Sequence, residues 1–518
     1  MTVNNTNIAK PINPYVVAFA VLLPSFLALA ASSATNVCQP NIAGFYGATQ
    51  YEANTVITCY IISGGIMLPV TGYLVQAIGK KLLMIYSIWL FCLGCLLCIL
   101  APNLQALIGA RVVQGIGSGC ILPLCQAVLL DVFPKEQRGV AMSLFGVAAM
   151  FSPLAGPFMG GYLTDNFSWQ WVFIINIPLC ILSTLLVKLF VPSDLPDKKA
   201  RKKKKFDIVG YVSIIIAMAC MQIVLDKGQQ YNWFDTDWIC YLSGICIFAF
   251  VFFYVWELEY KNPVIDIRVF KDRNFLFGTL ISSFINVMLY STLLLVPMFV
   301  QSMLGYSPSM SGLTMFPRAI ICFIGLLVVG EISKYVEARL LAIIGLLMMG
   351  GSILMMTSMN LTSSMSSVIL PNILLCIGVP TAFVPITALS FQTLPSKKNA
   401  DAAALHALFK NVVTAISTAM SATFIARVSQ VHQNYLVGDL AHHNWMFRYK
   451  LLMLKSKFLI HYPEVMAMRK ANGMLYRELL QQSRLASFYD VFALLALLCV
   501  IVIPLMMFLK IKRVRKAK

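Results

Sequence analysis

Four ionisable side chains stand inside stretches that are otherwise strongly apolar: Arg111, Arg318, His406 and Lys410. A charge at the centre of a bilayer costs at least ~2.5 to 3.5 kcal/mol, so each is expected to meet a polar partner or a water-filled pathway where it can hold a proton or a substrate charge. Gln114 follows Arg111 by one helical turn and is the polar partner within reach. Two roles are open for Arg111: service in a pathway, which intramembrane charge favours by default, or bracing of helices through backbone carbonyls. His406 and Lys410 are four apart and share a helix face. An imidazole with an ordinary pKa of ~6.5 can carry a proton, and the alternative for His406 is a structural histidine satisfied by its neighbours. Ser32, Ser33, Asn36 and Gln39 repeat at helical spacing beside Pro40, a polar stripe that either lines a pathway or hydrogen-bonds neighbouring helices.

Other chemistry is missing from the sequence. There is no phosphate-cradling Gly-Lys-Ser/Thr loop, no HExxH and no nucleophile elbow, so neither an ATP-driven pump nor an enzyme is expected, and no cofactor. Cys92, Cys95 and Cys98 wander around half a helix without further ligands, and His432, His442, His443 and His461 have no cysteines at ligand spacing. No metal site is expected from either group.

The elements that must position these residues follow from composition. Of 518 residues, 59% are hydrophobic and only 12% charged, with a mean hydropathy of +0.78. A soluble chain carries about 25% charged residues, so this is an integral membrane protein. Fourteen apolar runs are long enough to span as helices, near 15–37, 53–75, 82–100, 104–130, 138–163, 170–191, 207–225, 237–256, 275–300, 311–332, 339–357, 366–392, 403–428 and 487–510. Ala28-Leu29-Ala30 resembles a signal-peptidase site, but the charge pattern needs no cleaved segment and an uncleaved first span is expected.

The net charge of +19 is explained by topology rather than by nucleic acid. Loops after even-numbered spans hold Lys80 and Lys81; Lys135 and Arg138; Lys198, Lys199, Arg201 and Lys202 to Lys205; Lys261, Arg268, Lys271 and Arg273; Lys334 and Arg339; and Lys397 and Lys398. The short loops after odd-numbered spans hold only Lys227, and the tail from Lys510 is again basic. The positive-inside rule therefore places both termini in the cytoplasm. The chain divides into a six-helix bundle at 1–191, a basic cytoplasmic linker at 192–206, two inserted helices at 207–256 and a second six-helix bundle at 257–518. Within the last, an extracytoplasmic insertion at 429–486 offers amphipathic helices at 445–459 and 465–480 for a partner, for the membrane surface or as a solvated cap.

One segment combines small residues and helix breakers inside a span: Gly146, Gly156, Gly160 and Gly161 with Pro153 and Pro157. Such a helix is bent and closely packed, either as ordinary small-residue packing or as a hinge or seal between bundles.

With the spans placed, Gly146 to Gly161 falls in span 5 and resembles the antiporter motif of the major facilitator superfamily. The run from Gly72 to Lys81, with Gly79 and Lys80, is similar to that superfamily's loop 2–3 signature, and Arg111 to Gly119 to its span 4 signature. Trp169 to Pro178, Gln222 to Trp233 and Gln301 to Pro317 look like the fourteen-span EmrB/QacA type of drug:proton antiporter. The resemblance implies an all-α membrane protein of the major facilitator fold in a bacterial inner membrane. It implies alternating access and export of small amphipathic compounds coupled to proton entry. The insertion resembles that of EmrB-like members, which act with a periplasmic adaptor and an outer-membrane channel. A dedicated exporter of one metabolite such as a siderophore, or a non-transporting receptor, are the other readings.

The departures from the pattern bear on mechanism. Ala31 stands where many relatives carry an acid in span 1, Gln76 and Ala77 replace the loop aspartate and its following arginine, and Gln170 replaces an arginine between Trp169 and Trp171. The first-half spans hold no central carboxylate; Asp131 and Asp226 lie at span ends. The cavity is therefore expected to favour neutral or anionic amphiphiles over cationic ones.

Overall fold

The computed structural model describes residues 13–134, 137–192, 207–260, 266–306, 308–333, 335–395, 399–438 and 445–509. The basic positions Lys135, Lys198, Lys199, Arg201, Lys202 to Lys205, Lys261, Lys334, Lys397 and Lys398 lie outside these residues. So do Asp439, His442, His443, the tail from Lys510 and the 192–206 linker beyond its first residue.

Among the described residues, fourteen helices are long and apolar enough to cross a membrane. Spans 1 to 7 are Pro14–Tyr46, Glu52–Ile78, Lys80–Leu100, Leu104–Val132, Arg138–Asn166, Trp171–Phe190 and Ile208–Lys227. Spans 8 to 14 are Asp237–Glu259, Arg273–Ser302, Met310–Ile332, Ala338–Met356, Met365–Ser390, Asp401–Gly438 and Glu464–Phe508. In hydrocarbon every backbone polar group must be satisfied within the chain, which is why apolar runs of this length become helices. Their starts are set by short polar side chains: Thr49 and Glu52 form a reciprocal capping box, and Asn103, Asp207 and Asp272 each accept a backbone N–H of the first turn. Gly79, at φ 86°, makes the break between spans 2 and 3 in a backbone conformation open to glycine.

Spans 1 to 6 pack on one another, as do spans 9 to 14; the two halves meet through span 2 against span 13, span 4 against span 13, and span 5 against spans 10 and 12. Spans 7 and 8 pair together, and span 7 lies on span 2 and span 13 at the seam. Fourteen crossings return the end of span 14 to the side where span 1 begins.

The insertion differs from the expectation of free-standing amphipathic helices. Span 13 belongs to a continuous 40-residue helix, Asn399–Gly438, about 60 Å long at 1.5 Å per residue, twice the ~30 Å hydrocarbon core. Residues 465–480 are not a separate helix but the first half of Glu464–Val502, because no proline interrupts the run after Pro463. Only Trp445–Leu459 stands alone, held by Leu451 against Ala471 and Leu475. The hairpin thus rises from the membrane as an extension of spans 13 and 14.

Candidate functional site

Between the two halves lies a cavity of about 510 Å³. Ser33 and Asn36 of span 1, Tyr60 of span 2, Gln126 of span 4 and Pro153 of span 5 line one side, and Tyr290 of span 9 with His406, Lys410 and Asn411 of span 13 line the other. Gln222 reaches it from span 7. Most of the wall is apolar, which suits an amphiphile, and its polar groups are spaced singly. Ser33 donates to the carbonyls of Leu29 and Ala30 at 3.2 and 3.3 Å, and the Tyr60 hydroxyl donates to the Ala28 carbonyl at 2.7 Å. Oε1 of Gln126 is buried with no hydrogen-bond partner among the described residues. Gln39 does not reach the cavity wall.

The formal charge in the wall is basic. His406 is 1% exposed; its Nδ1 lies 3.2 Å from the Thr279 hydroxyl, its ring is edge-on to Phe391, and its buried Nε2 has no partner. Lys410 is 8% exposed, with its ammonium 5.2 Å from the Phe383 ring centroid and 6.0 Å from that of Phe145. Among the described residues no aspartate or glutamate lines the cavity.

Arg111, Gln114 and Arg318 are buried outside the lining. Arg111 donates through Nε to the Val56 carbonyl at 3.3 Å and through Nη1 to Gln114 Oε1 at 2.6 Å, and it stacks over Tyr60 at 4.3 Å. Gln114 in turn donates to Cys95 Sγ at 3.0 Å. This knot ties spans 2, 3 and 4 directly behind a cavity-wall tyrosine. Arg318 ties spans 9, 10 and 12: it donates to Asn372 Oδ1 at 3.2 Å, the Leu289 carbonyl at 3.2 Å and the Thr292 hydroxyl at 3.0 Å. Both guanidiniums thus make helix-to-helix contacts, while Arg111 Nη2 and Arg318 Nε are buried with no hydrogen-bond partner among the described residues.

The glycine and proline run does two jobs on two faces. A Cβ at Gly160 would lie 2.6 Å from the Ala34 carbonyl oxygen, and one at Gly156 would lie 2.8 Å from that of Ala30, so both glycines let span 5 touch the backbone of span 1. Gly161, by contrast, has only Val37 nearby, at 3.8 Å. At the other end of the run, Gly146 faces Leu326 of span 10, at 2.6 Å from a Cβ. Between these contacts the helix makes a π turn over Val147–Phe151, just before Pro153, which accommodates the missing proline N–H; Pro157 continues within the helix. Phe151 and Phe158 meet Phe323 and Phe316 of span 10 at 5.3 and 5.1 Å.

The 72–81 run is not a loop but the last turns of span 2, the break at Gly79 and the start of span 3, and it lies where the halves meet. Gly72 is packed against the Asp401 side chain, and Gln76 Nε2 lies 3.4 Å from both Asp401 oxygens. Lys80 pairs with Asp131, whose other oxygen accepts from Asn399 at 3.0 Å. Arg138 donates to the Phe391 carbonyl across the same seam. Lys81 is half-buried and follows Lys80 into the start of span 3. Sequence reasoning missed Asp401, and also Gln126, Tyr60, Tyr290 and Asn411. For Asp401 a signal existed: it is an acid five residues before His406 at a span start, matched to a loop whose own acid is replaced by Gln76.

Among the described residues, no group of three or more His, Cys, Asp or Glu side chains is placed to hold a metal ion.

The model of the Major Facilitator Superfamily matches residues 21–418. The chain is 32% identical over 438 residues to "Probable multidrug resistance protein EmrY" of Escherichia coli (strain K12), covering 83% of this chain and 84% of that protein. It is 27% identical over 497 residues to "Multidrug export protein EmrB" of the same organism, covering 96% and 95%, and 28% identical over 410 residues to "Fatty acid resistance protein FarB" of Neisseria gonorrhoeae, covering 79% and 80%. In fold it is similar to the human organic anion transporter MFSD10 (TETRAN), with a TM-score of 0.59 over 95% of this chain and 99% of that one, at 12% identity. With this match over most of its length and fourteen helices around a central cavity, the chain belongs to the Major Facilitator Superfamily, a family of membrane transporters rather than enzymes.

Proposed function

We propose that this protein exports small amphipathic compounds from the bacterial cytoplasm across the inner membrane, by alternating access and in exchange for protons. The observation that carries the reading is the cavity walled by both halves and closed at one end by Gly72 and Gln76 against Asp401. A site shared by two bundles, with polar contacts between them gathered at the end near Asp401, suits a rocking carrier. The multidrug names of the EmrY and EmrB relatives support the substrate breadth.

In this reading the bundles at 1–191 and 257–518 are the moving bodies. The inserted spans 7 and 8 ride on span 2, where Asp226 accepts from Asn54 and Thr58 at 2.9 and 3.0 Å. The basic loops and both termini are cytoplasmic, so the closed end faces the cytoplasm and the cavity is presented outward. His406 is the proposed proton carrier, since it lines the cavity, keeps a partnerless Nε2 and follows Asp401 of the closing contact by little more than one turn. The upright hairpin at 429–486 is the proposed dock for a periplasmic adaptor and, through it, an outer-membrane channel.

Everted vesicles containing the full chain test this directly. An amphipathic dye is expected to accumulate when the lumen is acid and to leak back when the pH gradient is collapsed. A receptor or scaffold accumulates nothing under either condition, and accumulation indifferent to the gradient removes the proton from the scheme.

A further inference from the structure

We propose that Lys410 is the anchor for a single negative headgroup, so that the preferred cargo is a monoanionic amphiphile and each export cycle moves one negative charge outward with it. The inference deepens the exporter reading and rests on it.

The argument starts from an ammonium that lacks an anion. Lys410 is 8% exposed and lines the cavity, and no carboxylate of the described residues stands within 4.0 Å of it. The rings of Phe383 and Phe145 lie near its charge but offer no acceptor for its three N–H donors. One turn away on the same face, the partnerless Nε2 of His406 is a second buried polar atom waiting for a group that the protein does not supply. The other ionisable groups in the wall are the phenols of Tyr60 and Tyr290, so nothing there competes with a ligand for the cation. A carboxylate or sulfonate would give Lys410 the charge-assisted hydrogen bond it lacks, and Leu29, Leu122 and Leu293 would take the tail. A cationic ligand would instead meet repulsion with no opposite charge to offset it.

Charge bookkeeping then follows. The empty cavity carries the Lys410 charge, and the cavity loaded with a monoanion is neutral. For an exporter, the empty form returns from the outward to the inward state, and in a cell with a negative interior that return moves positive charge downhill. The membrane potential therefore drives the reset, whichever group carries the proton. One elementary charge corresponds to about a fifty-fold difference in accumulation for each ~100 mV.

Two probes with one ring system separate the outcomes: anilinonaphthalene sulfonate, anionic at every working pH, and phenylnaphthylamine, its uncharged counterpart. Both are offered to everted vesicles at equal pH inside and out, with a lumen-positive potassium diffusion potential set by valinomycin. The sulfonate is expected to respond to the potential more steeply than the amine by one charge. Lys410→Gln is expected to lower the sulfonate-to-amine accumulation ratio at least tenfold, Lys410→Arg to preserve it, and Lys410→Glu to shift preference to an organic cation such as ethidium. Taking the ratio within one vesicle preparation cancels differences in folded protein. Equal steepness for the two probes, or an unchanged ratio in Lys410→Gln, overturns the inference. Accumulation of the amine alone sinks the inference and leaves the exporter standing, whereas accumulation of neither probe sinks both.

Discussion

The side chain of Asp401, at the start of span 13, rests against the backbone of Gly72, near the end of span 2 in the other half of the chain. In the loop 2–3 signature that this run resembles, an aspartate belongs in the loop itself; here Gln76 occupies that place, and the nearest acid on this seam comes from the other bundle. In the proposed alternating-access cycle this contact belongs to the state in which the Asp401 end is shut, and its strength is expected to set how readily that end opens.

Gly72 is the sharpest test of that contact. A methyl group there collides with a carboxylate oxygen of Asp401, whose Cα stays in ordinary contact at 3.5 Å, so the Asp401 side chain must give way; overpacking of this kind costs on the order of 1–3 kcal/mol. Because the cost falls on one conformation and not on the fold, Gly72→Ala is expected to keep its thermal melting point in detergent while transport drops five-fold or more. Labelling of a cysteine introduced near Gln76 should rise in parallel. A lowered melting point with unchanged labelling would assign Gly72 to plain packing.

Gln76 offers the electrostatic version. Gln76→Asp places a second carboxylate beside Asp401 on an exposed surface, where like charges at this range cost about 1 kcal/mol in water-like surroundings. Transport is expected to fall several-fold at low ionic strength and to recover as salt screens the pair, since the Debye length shrinks from ~10 Å at 0.1 M to ~3 Å at 1 M. Gln76→Arg should show no such salt recovery. A Gln76→Asp defect that ignores salt would mean that charge is not its cause.

How much of this was legible beforehand depends on the kind of signal each residue carries. The fourteen spans were legible because an apolar run of bilayer length has one way to satisfy its backbone. The antiporter-type run was legible as a close-packed, bent helix because glycine and proline act locally. The lining of the cavity was not. Gln126, Tyr60 and Asn411 are single polar residues in apolar helices, and whether such a residue faces a cavity or a neighbour depends on the rotation of its helix, which no local spacing records. Arg111 shows the same limit in reverse. Its burial cost marks it as partnered, but a knot to Gln114 and Val56 and a place in a pathway give the same sequence signal.

Arg111 can be assigned by what its loss disturbs. Arg111→Met leaves the Gln114 amide oxygen and the Val56 carbonyl without this donor, and a buried neutral acceptor left unsatisfied costs about 1–3 kcal/mol. The expected result is a melting point lowered by several degrees in detergent, with the apparent KM of the remaining folded protein unchanged. Arg111→Lys should rescue poorly, because a single ammonium cannot reproduce the forked donation to two acceptors. A normal melting point with an altered KM would move Arg111 from brace to pathway.

Within span 5, two neighbouring glycines should part company. Gly160→Ala drives a methyl to 2.6 Å from the Ala34 carbonyl oxygen, and backbone cannot step aside as a side chain can, so a loss of ~1–3 kcal/mol is expected. Gly161→Ala meets Val37 at an ordinary 3.8 Å and, by also improving helix propensity, should be neutral or slightly stabilising, within about 0.5–1 kcal/mol. Equal melting points for the two variants would show that spans 1 and 5 are not as close as their glycines allow.

The hairpin makes a prediction that separates transport from assembly. On Trp445–Leu459, Trp445, Met446, Tyr449, Leu452 and Met453 share one helical face, and each is more than 60% exposed although Leu451 beside them is buried. A solvated cap has no use for such a face, and at the top of helices that extend well past the ~30 Å hydrocarbon core it stands clear of the bilayer. Tyr449→Glu combined with Leu452→Glu is therefore expected to leave dye accumulation in everted vesicles at the normal level, since no cavity or closing residue is touched. In intact cells with an outer membrane, the proposed docking predicts that the same variant loses most of any resistance the unaltered protein gives and no longer crosslinks to a periplasmic adaptor. Resistance retained in cells would remove the adaptor from this face. Transport lost in vesicles would place the hairpin in the carrier cycle itself.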